Sequence, residues 1–283
     1  MQLSARYVSP VLLLALVGCH TSALDGGTNA DAGCDASSCA QQDGGTDAGG
    51  VDQAWDCLGS VPPAPNVERR VPVQQSMRLV SWGTGTPLSG LPVKACSQLD
   101  VQCGNPFGGT STQTDTNGRV DLVLYSGFRG YLDFAPSTST PSLLPGIVYF
   151  VPIPDKNATD GALVSHALLH TADLESIAAT GGNPIAAEYG HFAFRAVDCQ
   201  GNGAAGVTVV AETVTDKTFS VYMDSSGTPV STGSTSTDGR GVFVNLPSGS
   251  IGMTLMRDGK RIGMSNVIIR PQSISYSLLV PFP

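Results

Sequence analysis

The residues of this 283-residue sequence with the widest chemical reach are its seven cysteines and four histidines. His166 and His170 are four apart, so on a helix they would share a face and could hold a metal ion. Between them stands Ala167-Leu168-Leu169, without the glutamate of an H-E-x-x-H site, and no third ligand is evident. A metal-dependent hydrolase using His166 and His170 is therefore the alternative reading, and no metal or other cofactor is expected. Other catalytic patterns fail on their own residues. Gly249-Ser250-Ile251-Gly252 is not G-x-S-x-G, and it lies in a β-like region rather than at a strand-to-helix elbow. Gly104 to Gly109 lacks the ending of a phosphate loop, and Asp115 and Asp238 lack the ladder of a calcium loop. No catalytic residue is assigned and the chain is expected not to be an enzyme. Trp82, Tyr125, Phe128 and Tyr131 could present rings on which sugars stack, although aromatic side chains more often fill a core.

Cys19 stands apart from the other thiols. Arg6 supplies a positive leading region, Val11 to Leu16 an apolar run too short to span a membrane, and Gly18 a small residue before Cys19. The stretch Leu16-Val17-Gly18-Cys19 resembles the lipobox of bacterial lipoproteins. That resemblance implies a signal peptide over residues 1–18 and a mature chain that begins at Cys19, its thiol carrying the lipid anchor with palmitate-type acyl chains. A thiol suits this chemistry because part of it is thiolate near neutral pH. His20, where inner-membrane proteins of this class have Asp, implies sorting to the outer membrane, facing the periplasm or the cell exterior.

With Cys19 set aside, Cys34, Cys39, Cys57, Cys96, Cys103 and Cys199 form an even set in an exported chain, which argues for disulfides. Cys34 with Cys39 and Cys96 with Cys103 are local pairs; elimination leaves Cys57 with Cys199. A zinc site is disfavoured because no C-x-x-C pair or Cys/His cluster has finger spacing.

The net charge of -8 is concentrated in one region. Residues 20–56 hold seven Asp and no Lys or Arg, whereas residues 57–283 hold 14 basic and 16 acidic residues. A nearly neutral globular part gives no basic footprint for nucleic acid. Residues 19–56, rich in Gly, Asp, Ala, Ser and Thr, read as a flexible acidic tether whose ends lie roughly 30–35 Å apart on average.

These residues need elements to position them, and from Cys57 onward the pattern is mostly period two. Met77 to Trp82, Leu91 to Ala95, Val120 to Tyr125, Tyr131 to Phe134, Ile147 to Ile153, Phe192 to Val197 and Ile274 to Val280 are predicted strands. Between Asp160 and Thr180 the spacing of Leu163, Ala167, His170 and Leu174 predicts one or two short helices, with Thr171 as a cap and Gly181-Gly182 as the stop.

The two β regions repeat one plan. Pro87-Leu88-Ser89-Gly90-Leu91-Pro92-Val93 precedes Thr114-Asp115-Thr116-Asn117-Gly118-Arg119, and Gly203-Ala204-Ala205-Gly206-Val207-Thr208-Val209 precedes Thr235-Ser236-Thr237-Asp238-Gly239-Arg240. The pattern, G-x-x-V then T-D-x-x-G, resembles the carboxypeptidase regulatory-like domain, a transthyretin-like β-sandwich; the second copy departs from it at Ser236 and Gly203. The resemblance implies a non-catalytic accessory, adhesive or carbohydrate-associated module. The expected organisation is all-β: a β-sandwich over 57–156, a helical linker over 157–189 and a second sandwich over 190–283. The expected role is a membrane-anchored surface or periplasmic module, binding or structural, whose partners are the membrane through the lipid and a polysaccharide or another surface protein.

Overall fold

The computed structural model describes residues 53–60, 71–108, 112–150, 164–230 and 233–281. Cys19, Cys34, Cys39 and the expected signal peptide, with the expected tether as far as residue 52, lie outside the described residues.

Period-two burial marks the strands. In β4 (Arg119–Tyr125), Val120 and Leu124 are buried while Asp121, Val123 and Tyr125 face solvent. The first half of the chain adds β1 (Pro72–Ser81), β2 (Pro92–Ser97), β3 (Thr112–Gln113), β5 (Gly130–Phe134), β6 (Gly146–Tyr149) and β7 (Val164–Leu168). Helix α1 (Thr171–Gly181) follows. Then come β8 (Gly190–Ala196), β9 (Val207–Ala211), β10 (Phe219–Met223), β11 (Pro229–Val230), β12 (Arg240–Leu246), β13 (Gly249–Arg257), β14 (Lys260–Ile269) and β15 (Ile274–Leu279).

The protein is all-β with a single helix among the described residues, and its halves follow one topology. In the first, the sheet β4-β1-β7 faces the strands β3-β2-β5-β6; in the second, β12-β8-β15 faces β9-β13-β14. In each half the last strand joins its sheet in parallel, β7 beside β1 and β15 beside β8. The halves are fused because β15 also pairs in parallel with β6, through Ile274↔Gly146, Ser275↔Ile147 and Tyr276↔Val148. One nine-stranded sheet results, in the order β11-β10-β12-β8-β15-β6-β5-β2-β3.

Alternate residues of this sheet serve two cores, as the pleat requires. Val242 and Val244 of β12 pack with Met77 and Leu79 of β1 and with Leu174 and Ile177 of α1. Phe243, between them, packs on the other face with Ile251 and Met253 of β13 and Val209 of β9. The two covering sheets therefore lie on opposite faces of the shared one.

Segment 157–189 departs from the helical expectation. Val164–Leu168 is strand β7, the last strand of the first sandwich, and the helix begins only at Thr171; residues 151–163 lie outside the described set. Five residues of mixed spacing are claimed by parallel pairing with β1, from Met77↔Val164 to Ser81↔Leu168, because that pairing satisfies their backbone groups. The cap is His170 rather than Thr171: its backbone N–H donates to Asp173 Oδ2 at 2.8 Å. At the other end Gly182, with φ of 78°, donates its N–H to the Ala178 carbonyl at 3.1 Å.

Both disulfides expected within the described residues are present, Cys57–Cys199 with Cα atoms 5.6 Å apart and Cys96–Cys103 at 5.4 Å. The longer one fixes the point where the chain meets the folded body. A 3-10 turn, Gln53–Trp55, stands just before it. Trp55 packs against the second core under the Arg257 guanidinium, 4.4 Å from its ring centroid, and Cys199 N–H donates to the Ala54 carbonyl at 2.9 Å.

The repeat seen in the sequence extends to individual hydrogen bonds. Thr114 Oγ1 accepts the Leu91 N–H at 3.0 Å and donates to the Leu88 carbonyl; Thr235 Oγ1 accepts the Val207 N–H at 3.0 Å and donates to the Ala204 carbonyl. The Gly118 carbonyl receives the Leu79 N–H at 2.8 Å, and the Gly239 carbonyl the Ala196 N–H at 2.7 Å. Both glycines have φ of 72°, and a Cβ at either would run into the backbone carbonyl of the neighbouring strand, Leu79 or Ala196. Even the cross-strand pairs match, Arg78↔Arg119 and Arg195↔Arg240.

Candidate functional site

The four aromatic residues picked from the sequence divide. Tyr131 is fully buried; its hydroxyl donates to the Asp100 carbonyl, its ring meets Tyr149 edge-on, and the Arg270 guanidinium lies 5.5 Å from its centroid. It holds the Cys96–Cys103 loop against the sheet and is closed to a ligand, because β5 alternation turns it onto the face that this loop covers. Trp82 packs against the first core and faces Arg240 of the second sandwich at 5.8 Å. It therefore stands at the junction between the repeats rather than in a stacking platform.

Tyr125 and Phe128 do come together, through two rings that sequence reasoning missed. Phe107 lies 5.4 Å from Tyr125 and 5.3 Å from Phe128, and Phe128 lies 5.9 Å from Phe150. Phe107 is placed by its backbone N–H, which donates to the Ala95 carbonyl at 2.7 Å just beyond the disulfide loop. Phe150 follows β6, and its N–H donates to the Gly130 carbonyl at 3.1 Å. The available signal was proximity to fixed points: one residue just past a short disulfide loop, the other next after a buried strand.

Phe128 and Phe150 continue into a groove of about 590 Å³ that crosses the β6–β15 joint. Its first wall is Arg129, Tyr149 and the two phenylalanines; the opposite wall comes from β13 to β15, with Asn266, Ser265 and Ser277. Tyr149 is anchored by the Ile268 N–H, which donates to its hydroxyl at 2.6 Å, and burial pushes its pKa up to about 12, so the phenol stays protonated. Leu99 at 86% and Met264 at 58% exposure add apolar surface on either side. Rings beside amide, hydroxyl and guanidinium groups suit a ligand with alternating apolar faces and hydroxyls, as a sugar has. The groove exists only because the two sandwiches share a sheet.

The histidine pair does not form a metal centre. His166 is in β7 and His170 caps α1, so the helical face they were expected to share is absent. Both ring nitrogens of His170 are engaged, Nε2 with Ser81 Oγ at 2.9 Å and Nδ1 with Ser142 Oγ at 3.0 Å. Among the described residues the one group close enough to hold an ion is Cys96, Cys103 and Asp133, and its cysteines are joined in a disulfide. Burial lowers the His166 pKa.

A second buried histidine had no sequence signal. His191 in β8 is 1% exposed, and its Nδ1 accepts the Asn245 N–H at 3.4 Å. Asn245, fully buried with φ of 60° at a bulge in β12, holds the loop between α1 and β8 with its side chain: Oδ1 accepts the Ala186 N–H at 3.0 Å and Nδ2 donates to the Pro184 carbonyl at 2.9 Å.

No protein-family model matches the chain, and no characterised protein matches it by sequence. Among solved structures it is similar to the Bacillus anthracis TIE protein, with 14% identity over 75% of this chain and 34% of that one, at a TM-score of 0.27. The chain thus spans about a third of that protein. It is also similar to the shaft pilin SpaA from Lactobacillus rhamnosus GG, with 10% identity over 75% of this chain and 99% of that one, TM-score 0.23. A further match is GBS52, the minor pilin of Streptococcus agalactiae, with 12% identity over 75% of this chain and 97% of that one, TM-score 0.22. Superpositions this loose carry no argument about function.

Proposed function

We propose that the protein is a lipid-anchored surface module that holds polysaccharide in the groove across the β6–β15 joint. The observation that carries this reading is the groove itself, where Phe128 and Phe150 stand beside Arg129 and Asn266. Its polar lining residues are amides, hydroxyls and a guanidinium, without the paired carboxylates that glycoside hydrolysis uses, which favours holding a chain over cleaving it. The repeated turn geometry supports the regulatory-like sandwich resemblance, and the stretch ending at Cys19 supports anchoring in the outer membrane. The Cys57–Cys199 bond ties the residues after the Gln53–Trp55 turn to the second sandwich.

Two experiments test this. Labelled palmitate should be incorporated by cells making the natural chain and not by cells making Cys19→Ser; equal labelling would remove the anchor. The full chain carrying Cys19→Ser should be retained on purified peptidoglycan or on surface polysaccharides. Phe128→Ala with Phe150→Ala should weaken retention tenfold or more, since aromatic stacking contributes about 1 kcal/mol per ring. Retention unchanged in that double variant, or absent on every polysaccharide, would sink the glycan reading. A stiff spacer would then be the better account, favoured by the sheet that fuses the two sandwiches.

A further inference from the structure

A cavity of about 670 Å³ opens between α1 and the loop that leads into β8, and it shares no lining residue with the groove. Its apolar walls are Leu144, Leu174, Ala178 and Ile185. Its volume falls within the range of small-molecule sites, about 300–1,000 Å³. His191 lines it too, and the chemistry of that ring can be read from its partner. Because a backbone N–H donates to Nδ1, that nitrogen carries the lone pair and the neutral ring carries its proton on Nε2. No described group accepts this second N–H. The one sealed side-chain polar atom without a partner among the described residues is Ser236 Oγ, so this N–H is not sealed away but faces the cavity that His191 lines, where a ligand acceptor can meet it.

The surroundings look built rather than incidental. The Asn245 side chain ties down both Pro184 and Ala186 beside the cavity, its own carbonyl accepts from Thr218 Oγ1 at 2.7 Å, and its left-handed backbone sits at the β12 bulge. Gln272, at the cavity rim, is a second non-glycine residue with positive φ, 55°. Backbone strain of this kind concentrates at functional sites. Of the charged side chains, only the Glu175 carboxylate lines the cavity, which disfavours anionic ligands.

We propose that this cavity binds a small uncharged or cationic amphiphile whose hydrogen-bond acceptor, a carbonyl or ether oxygen, receives the His191 Nε2–H while its apolar body lies on Leu174, Ala178 and Ile185. The site is independent of the groove, so either can fail without the other.

The uncharged fluorescent ketone Prodan has the required shape, an apolar ring system with one carbonyl. Titrated into the full chain with Cys19→Ser, which has no acyl chain to compete, it should bind saturably with blue-shifted emission. Ile185→Arg, at the cavity wall, should weaken binding tenfold or more. His191→Phe keeps the volume and removes the donor, and should weaken it roughly fivefold, the effect of one hydrogen bond. A naphthalene carboxylate should bind more weakly than Prodan. Far-ultraviolet circular dichroism identifies any variant that has not folded; should His191→Phe fail, the shift of the His191 Nε2–H proton signal on adding Prodan to the unaltered ring reports the same contact. Absence of saturable binding, or binding that Ile185→Arg leaves unchanged, would overturn the site. Binding lost in Ile185→Arg with neither a His191→Phe effect nor a moved imidazole signal would overturn the role of the donor.

Discussion

In the turn before β4, Asp115 Oδ1 accepts the backbone N–H groups of Asn117 and Arg119, both at 2.8 Å. In the matching turn before β12 the residue is Ser236, whose Oγ is buried without a partner. Yet the two turns keep the same closing bond, Gly118 N–H to the Asp115 carbonyl at 3.0 Å and Gly239 N–H to the Ser236 carbonyl at 2.9 Å. The aspartate is thus the replaceable part of the motif. What both copies retain is a threonine that stitches the turn to the incoming strand and a glycine whose missing side chain lets two backbones touch.

The comparison can be broken at several strengths. The sandwiches differ most in their disulfides, one joining residues 142 apart and the other residues 7 apart. In the chain-entropy model, removing the first with Cys57→Ser and Cys199→Ser costs about 5 kcal/mol and removing the second about 2.5 kcal/mol. Urea unfolding midpoints would rank them, and the reverse order would contradict the loop-length account of the two bonds. Next, Gly118→Ala and Gly239→Ala should each cost about 3 kcal/mol, since each adds left-handed strain to a backbone clash; tolerance at one alone would show that the turns are not equivalent.

Acid acts on a histidine of lowered pKa in each half, His191 in the second and His166 in the first. His191 stands where the first sandwich has Gln74, counting back along β8 and β1 from the matched residues Ala196 and Leu79. Burial lowers the His191 pKa from 6.5 to about 4. A depressed histidine means the unfolded chain binds the proton more readily, so stability is complete above about pH 6.5 and falls as pH drops toward 4. The loss is about 2.5 kcal/mol between about pH 7 and about pH 4.5. His191→Gln should remove its share of that dependence in thermal melts, while His166, lowered in the same direction, keeps its own. The smallest effect is the sharpest: Asp115→Ala should cost about 1 kcal/mol, whereas Ser236→Ala should cost nothing or stabilise slightly, because the first removes hydrogen bonds and the second removes a buried hydroxyl that has none.

Much of this architecture was legible in the sequence for a physical reason. Thr114, Gly118, Thr235 and Gly239 are required by local backbone geometry, so their spacing survives as a readable pattern, and the alternation from Val120 to Tyr125 reflects a strand with one face in the core. Where distant partners decide, the reading failed. Val164–Leu168 is a strand because β1 lies beside it, and His170 is engaged by Ser81 and Ser142 from other parts of the chain. Half the ring cluster was missed because Phe107 and Phe150 become its members only when the loop and sheet bring them to Phe128. The His191 cavity left no trace because a β-bulge at Asn245 has no sequence signature beyond one asparagine.

The central claim is that the β6–β15 pairing fuses two copies of one sandwich into a single body and thereby creates the groove. Hydrogen exchange on the full chain with Cys19→Ser tests it directly. The β6–β15 amides should exchange as slowly as those at the centre of each sandwich, between β1 and β4 and between β8 and β12, and all should be lost in one cooperative step on adding urea. Rapid exchange along β6 and β15 while both sandwich centres stay protected would mean two independent domains and no shared groove.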